Sequence, residues 1–355
     1  MPLYMDIHIV DSKEFSAEDV VKAHMEDLAI QDKYGVKQLK YWVNEDAKTI
    51  FCLMQGPDRE ACHQVHLMSH GNTACNIIEV SDDEYNLYMG QGTDVDDLAR
   101  TDNGTLDTGY RSILLANIIC IQKSKKDYFN KANGLIKNFN GTLVLEPNHQ
   151  IMASFVSAHD AICCAASIKD MLEDAESEVQ FNMAVVSGRP VDEKGKVFFE
   201  ETKRRVNGIC SLGLNMNIYL DTETITLSAK ESPDQKGVHF KYIPLDSEDL
   251  SLFMTLSDAV KMNFTRSEFS SADLFTALGL SKSKANRKIK ALTGFSPNQL
   301  IQESRLQNAL DMISRKRATM SEVAYGSGFN SPAYFTQVFR RRFGITPSAY
   351  SRLLA

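Results

Sequence analysis

Five of the eight histidines fall within the first 70 residues: His8, His24, His63, His66 and His70. His66 and His70 stand four apart, so on a helix they point the same way, and His24 and Asp27 stand three apart. Imidazoles at such spacing suit a transition metal such as nickel, zinc or copper. Surface or hydrogen-bonded histidines are the plainer alternative. The HExxH pattern of zinc peptidases is absent from the sequence.

A second set of chemistry-bearing residues lies at the other end. Residues 282–292 put Ala285, Ile289 and Leu292 on one helical face and Ser283, Asn286, Arg287 and Lys290 on the other. Residues 332–343 put Phe335, Val338, Phe339 and Arg342 on one side, with Ala333, Tyr334, Gln337, Arg340 and Arg341 around the rest. A helix fits the DNA major groove, where Arg can bind guanine and Asn or Gln can bind adenine. Flanking Lys and Arg neutralise phosphates.

The elements that must position these residues can be read from the pattern. Residues 3–10 alternate as a strand, and Ser16 caps a helix over 17–34. Strands follow at 36–43 and 49–55, then a helix over 59–70 behind Asp58, and a strand at 77–80. The order β-α-β-β-α-β is that of a ferredoxin-like fold. Residues 83–108 are rich in Gly, Asp and Thr and read as a linker. A second α+β unit spans 109–245, with strands expected at 112–122, 142–145, 151–156, 179–187, 218–221 and 225–229. Its helices are expected at 127–138 and 159–175. From Ser251 onward the pattern is purely helical. There, a short helix, a glycine turn and a serine-capped longer helix occur twice, around Gly279 and Ser281 and around Gly328 and Ser331. A long helix from Pro297 to Ser314 lies between them. Two such units in tandem are a much stronger signal than one.

Charge divides the chain in the same way. Residues 260–355 hold 15 Lys and Arg against 5 Asp and Glu, whereas the remainder holds 24 against 41. A basic end on an acidic body points to a polyanion-binding module. The seven cysteines (Cys52, Cys62, Cys75, Cys120, Cys163, Cys164 and Cys210) are odd in number and form no CxxC pair, which argues against a disulfide framework. No stretch reaches the ~18 apolar residues of a membrane span. The N-terminus lacks the regions of a signal peptide. A cytoplasmic protein without membrane contact is expected.

Three resemblances sharpen these expectations. The tandem helical region resembles the AraC/XylS family over its final hundred residues or so. The match runs through the turn Thr293-Gly294-Phe295-Ser296-Pro297, the stretch around Arg305, Leu306 and Ala309, and the segment from Gly328 to Tyr350. By position in the family motif, Ser283, Asn286 and Arg287 would face bases from the first recognition helix, and Ala333 and Gln337 from the second. Arg340 and Arg341 would hold phosphates. Ala333 has no donor, which implies fewer base contacts there.

The stretch from Met1 to Val80 is similar to small nickel-binding ferredoxin-like proteins. The residues that carry this include Tyr4-Met5-Asp6 with His8, Ala23-His24 with Asp27-Leu28, Tyr41-Trp42, Phe51-Cys52-Leu53, His66 and His70-Gly71. This resemblance implies His8, His24, His66 and His70 as ligands, with Asp27, Cys52 and Tyr41 as further candidates. It also implies pairing as a homodimer.

Residues 109–230 resemble class III nucleotide cyclases. Asn117 and His149 stand where those enzymes carry two metal-binding aspartates. Without both carboxylates the Mg²⁺ chemistry should fail, so this unit is expected to dimerise or sense a ligand without catalysing.

The expected fold class is multidomain α+β plus all-α. A ferredoxin-like N-terminal domain (1–82) and a linker (83–108) would precede a degenerate cyclase-like α+β middle domain (109–245). A C-terminal double helix-turn-helix domain (250–355) would follow. The expected function is sequence-specific binding of double-stranded DNA as a non-enzymatic transcription regulator, responsive to nickel, another transition metal or a small-molecule effector. The alternatives are a cyclase-like enzyme, or a metal-binding protein with an accessory DNA-binding domain.

Overall fold

The computed structural model describes residues 1–12, 15–90, 97–101, 104–120, 125–145, 150–174, 179–232 and 240–354. The first sheet is built from β1 (Leu3–Ile9), β2 (Lys37–Asn44), β3 (Thr49–Gln55) and β4 (Asn76–Val80), with β5 (Asp97–Leu98) added from beyond α3. Helices α1 (Ala17–Ile30) and α2 (Arg59–Ser69) cross between its strands, and α3 (Asp82–Met89) follows β4. The strand order is β4-β1-β3-β2-β5. Ser16 and Asp58 cap α1 and α2 by accepting from the Asp19 and Ala61 amides, as their side-chain oxygens should at an N-cap. The expected helix over 17–34 ends at Ile30 and tightens into a 3₁₀ turn, Gln31–Tyr34, which Gly35 closes at φ 64°.

The stretch 83–108, expected as a linker, is tied to both neighbours. Its helix α3 buries Tyr85, Tyr88 and Met89. Strand β5 pairs with β2. Asp107 accepts from Trp42 Nε1 at 3.2 Å and from two Arg111 nitrogens at 2.9 Å each. Arg111 is only 2% exposed, so Asp107 meets the need of a buried guanidinium for a carboxylate partner. Residues 91–96 and 102–103 lie outside the described residues.

The second sheet comprises β6 (Arg111–Cys120), β7 (Thr142–Leu145), β8 (Gln150–Phe155), β9 (Val179–Gly188), β10 (Ile218–Asp221) and β11 (Ile243–Leu245), with α4 (Lys125–Asn138), α5 (Ala158–Glu173), α6 (Glu200–Cys210) and α7 (Thr222–Glu231). Its order is β11-β10-β9-β6-β8-β7. The run β9-β6-β8-β7 repeats the β4-β1-β3-β2 order of the first sheet, and β10 and β11 extend it in parallel. Residues 225–229, expected as a strand, are helical in α7. Asp221 caps that helix, accepting from the Thr224 amide at 3.0 Å, while Thr224 and Ser228 are buried. Cap and packing override the strand preference of the β-branched residues. Helix α6 and the short strand β11 were not expected.

Seven helices complete the chain: α8 (Ser247–Asn263), α9 (Ser271–Leu278), α10 (Lys282–Thr293), α11 (Pro297–Ser314), α12 (Met320–Gly326), α13 (Pro332–Phe343) and α14 (Pro347–Leu353). Capping boxes at Ser270, Ser296 and Thr319 start α9, α11 and α12, and Pro297, Pro332 and Pro347 occupy first turns, where a missing N–H is tolerated. One apolar cluster runs from Met5, Trp42 and Leu53 through Leu115 and Val186 to Phe253, Ile289 and Leu300. A separate one, around Leu306, Phe335 and Phe339, holds the second helix-turn-helix. Among the described residues no helix is long and apolar enough to cross a membrane.

Candidate metal centre and nucleic-acid interface

Strand alternation sends Tyr4, Asp6 and His8 to the side of the first sheet covered by α1 and α2, where Tyr4, Tyr41, Cys52 and Met54 pack with Val20 and Val65. In that layer a polar cluster sits beside the apolar one. His66 Nε2 lies 2.9 Å from Asp6 Oδ2, and its Nδ1 lies 2.9 Å from Asp27 Oδ2. His8 Nε2 reaches the same Asp6 oxygen at 3.2 Å. His70 Nε2 sits 3.3 Å from Asp27 Oδ1, which also accepts from Ser69 Oγ at 2.5 Å. The Cys52 amide donates to Asp6 Oδ1 at 2.9 Å. Asp6 is fully buried and His66 is 1% exposed.

The electrostatics follow from this packing. Burial opposes charge on His66, but hydrogen bonds and Coulomb attraction from Asp27 and Asp6 outweigh it, and its pKa is raised to about 10. Burial also pushes against ionised Asp6 and Asp27. The neighbouring imidazoles (His8 and His66 for Asp6, His66 and His70 for Asp27) hold both carboxyls well below the usual range. Burial, aided by Asp6 and Asp27, raises the Cys52 thiol well above its ordinary value.

Two groupings bring potential ligand atoms together. Asp6, His8, Cys52 and His66 each offer an atom within 4.8 Å of the others, and Asp27, His66 and His70 do the same. The donor set mixes carboxylate oxygen, imidazole nitrogen and thiol sulfur, which fits a borderline transition metal and not Mg²⁺ or Ca²⁺. All six residues except Asp6 line one cavity of about 490 Å³, as do His24 and Tyr41. His24 stacks on Tyr41 with ring centroids 4.3 Å apart and belongs to neither grouping. His63 lies outside both groupings as well. Asp6 lies on an interior strand of the sheet and meets both His8 and His66, yet the sequence pattern alone did not single it out. The available signal was a lone acid in the otherwise apolar run of β1, two residues from His8 and therefore on the same face.

At the other end α10 buries Ala285, Ile289 and Leu292, leaving Ser283, Arg287 and Lys290 exposed and Asn286 half-buried. The Asn286 amide donates to Lys282 O at 2.7 Å. Helix α13 buries Phe335, Val338, Phe339 and Phe343. Ala333, Gln337, Arg340 and Arg341 are brought together with Thr336 and Thr346 around one shallow hollow. Thr336 and Thr346 were not singled out from the sequence. Arg342, placed on the inner side, forms a two-pronged pair with buried Glu303 at 2.8 and 2.6 Å, which locks α13 to α11. Arg305 donates to the carbonyls of Phe264 and Arg266 at 2.8 and 2.7 Å, knitting α11 to the α8–α9 turn.

In the middle sheet Asn117 sits near the end of β6, paired with Gln150 on β8 and Asn182 on β9. His149 lies outside the described residues.

Comparison with known proteins agrees with this layout. Residues 274–353 match a family model described as a helix-turn-helix domain, and residues 4–80 match one described as nickel responsive protein SCO4226-like. Histidine kinase P4 of Formosa agariphila is 35% identical over 124 residues, covering 35% of this chain and 9% of that protein. The probable transcriptional regulator LumQ of Photobacterium leiognathi is 31% identical over 99 residues, covering 28% of this chain and 40% of that protein. The chain thus spans less than half the length of either curated relative. The crystal structure of SCO4226 from Streptomyces coelicolor A3(2) is 32% identical, covers 22% of this chain and 94% of that one, and has a TM-score of 0.21. The chain therefore carries an AraC-type helix-turn-helix domain at residues 274–353 and a SCO4226-like domain at residues 4–80.

Proposed function

We propose that the protein is a sequence-specific DNA-binding transcription regulator whose metal centre biases how it engages DNA. The observation that carries this reading is the pair of capped helices α10 and α13, each buried on one side and polar and basic on the other, joined by the single long helix α11. In this reading Ser283, Asn286 and Arg287 face bases from α10, with Lys290 beside them on a phosphate. Ala333 and Gln337 face bases from α13, while Arg340 and Arg341 hold phosphates. Exposed Lys and Arg would supply the salt-dependent part of the affinity.

Nickel is the metal this reading assigns to the front unit. Asp6, His8, Cys52 and His66 would hold it, with Asp27 orienting His66 and His70 from behind. Bound there, the metal would supply a fixed positive charge that replaces the proton on His66 and the one on Cys52, so loading releases protons. By linkage, a metal that binds the DNA-competent arrangement more tightly favours DNA binding by the same factor.

The middle unit is read as a cyclase-like sheet that has lost its catalysis. Asn117 is a neutral amide where a metal-binding carboxylate would be needed. Its role would be sensing or homodimerisation. A cyclic product formed from ATP or GTP with Mn²⁺ would sink this part of the reading.

The test is titration of metal-stripped protein onto the DNA upstream of its own coding sequence, at fixed salt, with and without Ni²⁺. The expected result is specific binding that shifts severalfold with Ni²⁺. Arg287→Ala should weaken it by ~1–3 kcal/mol and relax one base position. Unchanged affinity and site preference in that variant would remove Arg287 from the interface.

A further inference from the structure

A second cavity, of about 370 Å³, lies where the middle sheet, α8 and α11 meet. Asn117 and Gln150 line it from the sheet, Lys261 from α8, Gln307 and Asp311 from α11, and Arg315 from the C-cap of α11. Gln307, Asp311 and Arg315 stand four apart, so they follow one stripe along that helix. The volume falls in the range of small-molecule sites. The Gln307 Nε2 donor is buried and has no hydrogen-bond partner among the described residues. Such a group calls for an acceptor from outside the chain. Lys261 and Arg315 stand exposed at the cavity, as does Asp311. A buried orphan donor, two exposed cations, one carboxylate and further side-chain amides in one concave site describe a receptor for an anion that also carries a hydroxyl.

We propose that this cavity binds a small organic anion, a carboxylate or a phosphate ester, and that the bound anion holds α11 against the middle sheet. Helix α11 joins the two helix-turn-helix units. An anion bridging Lys261 on α8 and Arg315 near the end of α11 would therefore fix how the second unit stands relative to the first. The amides of Asn117, Gln150 and Gln307 would orient the ligand, with Asp311 accepting from a ligand hydroxyl. The effect on DNA rests on the regulator reading above; binding of the anion does not.

The test is hydrogen exchange on the full chain with citrate, with glucose 6-phosphate, and with sodium chloride at matched ionic strength. At about ten times its dissociation constant, the right anion should slow exchange over residues 304–315 about tenfold. Protection by citrate alone identifies a carboxylate, and protection by the sugar phosphate alone identifies a phosphate ester. Gln307→Leu and the surface pair Lys261→Ala with Arg315→Ala should each abolish that protection while leaving the circular dichroism of the chain unchanged. Protection by neither anion, equal protection by sodium chloride, or full protection in the Lys261→Ala/Arg315→Ala chain overturns the proposal. Binding to upstream DNA without either anion is measured separately, so failure of the regulator reading leaves the exchange result standing.

Discussion

On β1, Tyr4, Asp6 and His8 alternate toward α1 and α2; on β6, the matching strand of the second sheet, Leu114, Ala116 and Ile118 face α4 and α5. The four shared strands run in the same order. The layer between sheet and helices differs. In the second unit it is apolar, closed by Ile162, Ala165 and Ile168. In the first it holds two carboxylates, three imidazoles and a thiol. A buried ionic cluster is a poor way to gain stability, because removing charges from water offsets most of their attraction. Topology therefore does not dictate the site, and the polar layer offers a cluster of donor atoms in place of apolar packing.

The sharpest way to break the contrast is Asp6→Ala. It leaves His66 with one carboxylate and strands the Cys52 amide, and should cost about 3–5 kcal/mol in denaturant unfolding. A loss under 1 kcal/mol would mean that the cluster is not coupled. Next in size is the metal itself. Ni²⁺ at about a hundred times its dissociation constant should stabilise the stripped protein by about 2.7 kcal/mol, and His66→Gln should remove that gain. Converting the first layer to the chemistry of the second, with Asp6→Leu, Asp27→Leu and His66→Leu together, should leave metal-free stability within about 2 kcal/mol of the parent and abolish the response to Ni²⁺. A triple variant that still binds the metal tightly would show that the site lies elsewhere. The smallest effect is expected in the dry layer, where Ile168→Val should cost about 0.5–1.5 kcal/mol with the Ni²⁺ response intact.

Much of this arrangement could be read from the sequence because it rests on local periodicity. Helical spacing in 282–292 and 332–343 placed Ala285, Ile289, Phe335 and Phe339 inside and Arg287, Gln337 and Arg340 outside, as found. The serine caps and glycine turns marked where those helices begin and end. What escaped depends on contacts distant in sequence. Asp6 gains its meaning from His66, 60 residues away. Asp107 ties Trp42, 65 residues before it, to Arg111, so a stretch that looked like linker is held on both sides. The helix α7 escaped because its β-branched residues favour a strand locally, and only the Asp221 cap and burial of Thr224 reverse that preference.

The apolar cluster that begins at Met5 and Trp42 and ends at Ile289 and Leu300 has a consequence for modularity. Residues of the front sheet, the middle sheet and the helical end share one core, so the chain should melt in fewer steps than it has parts. An exchange of the front unit for a relative's would expose Leu115, Val186 and Phe199 unless their partners travel with it. The start of α12 offers no free seam either, because the cluster around the second helix-turn-helix draws Leu306, Leu310 and Ile313 from α11 and Ile119 from β6, so recombination between such regulators should succeed mainly when these partners travel together.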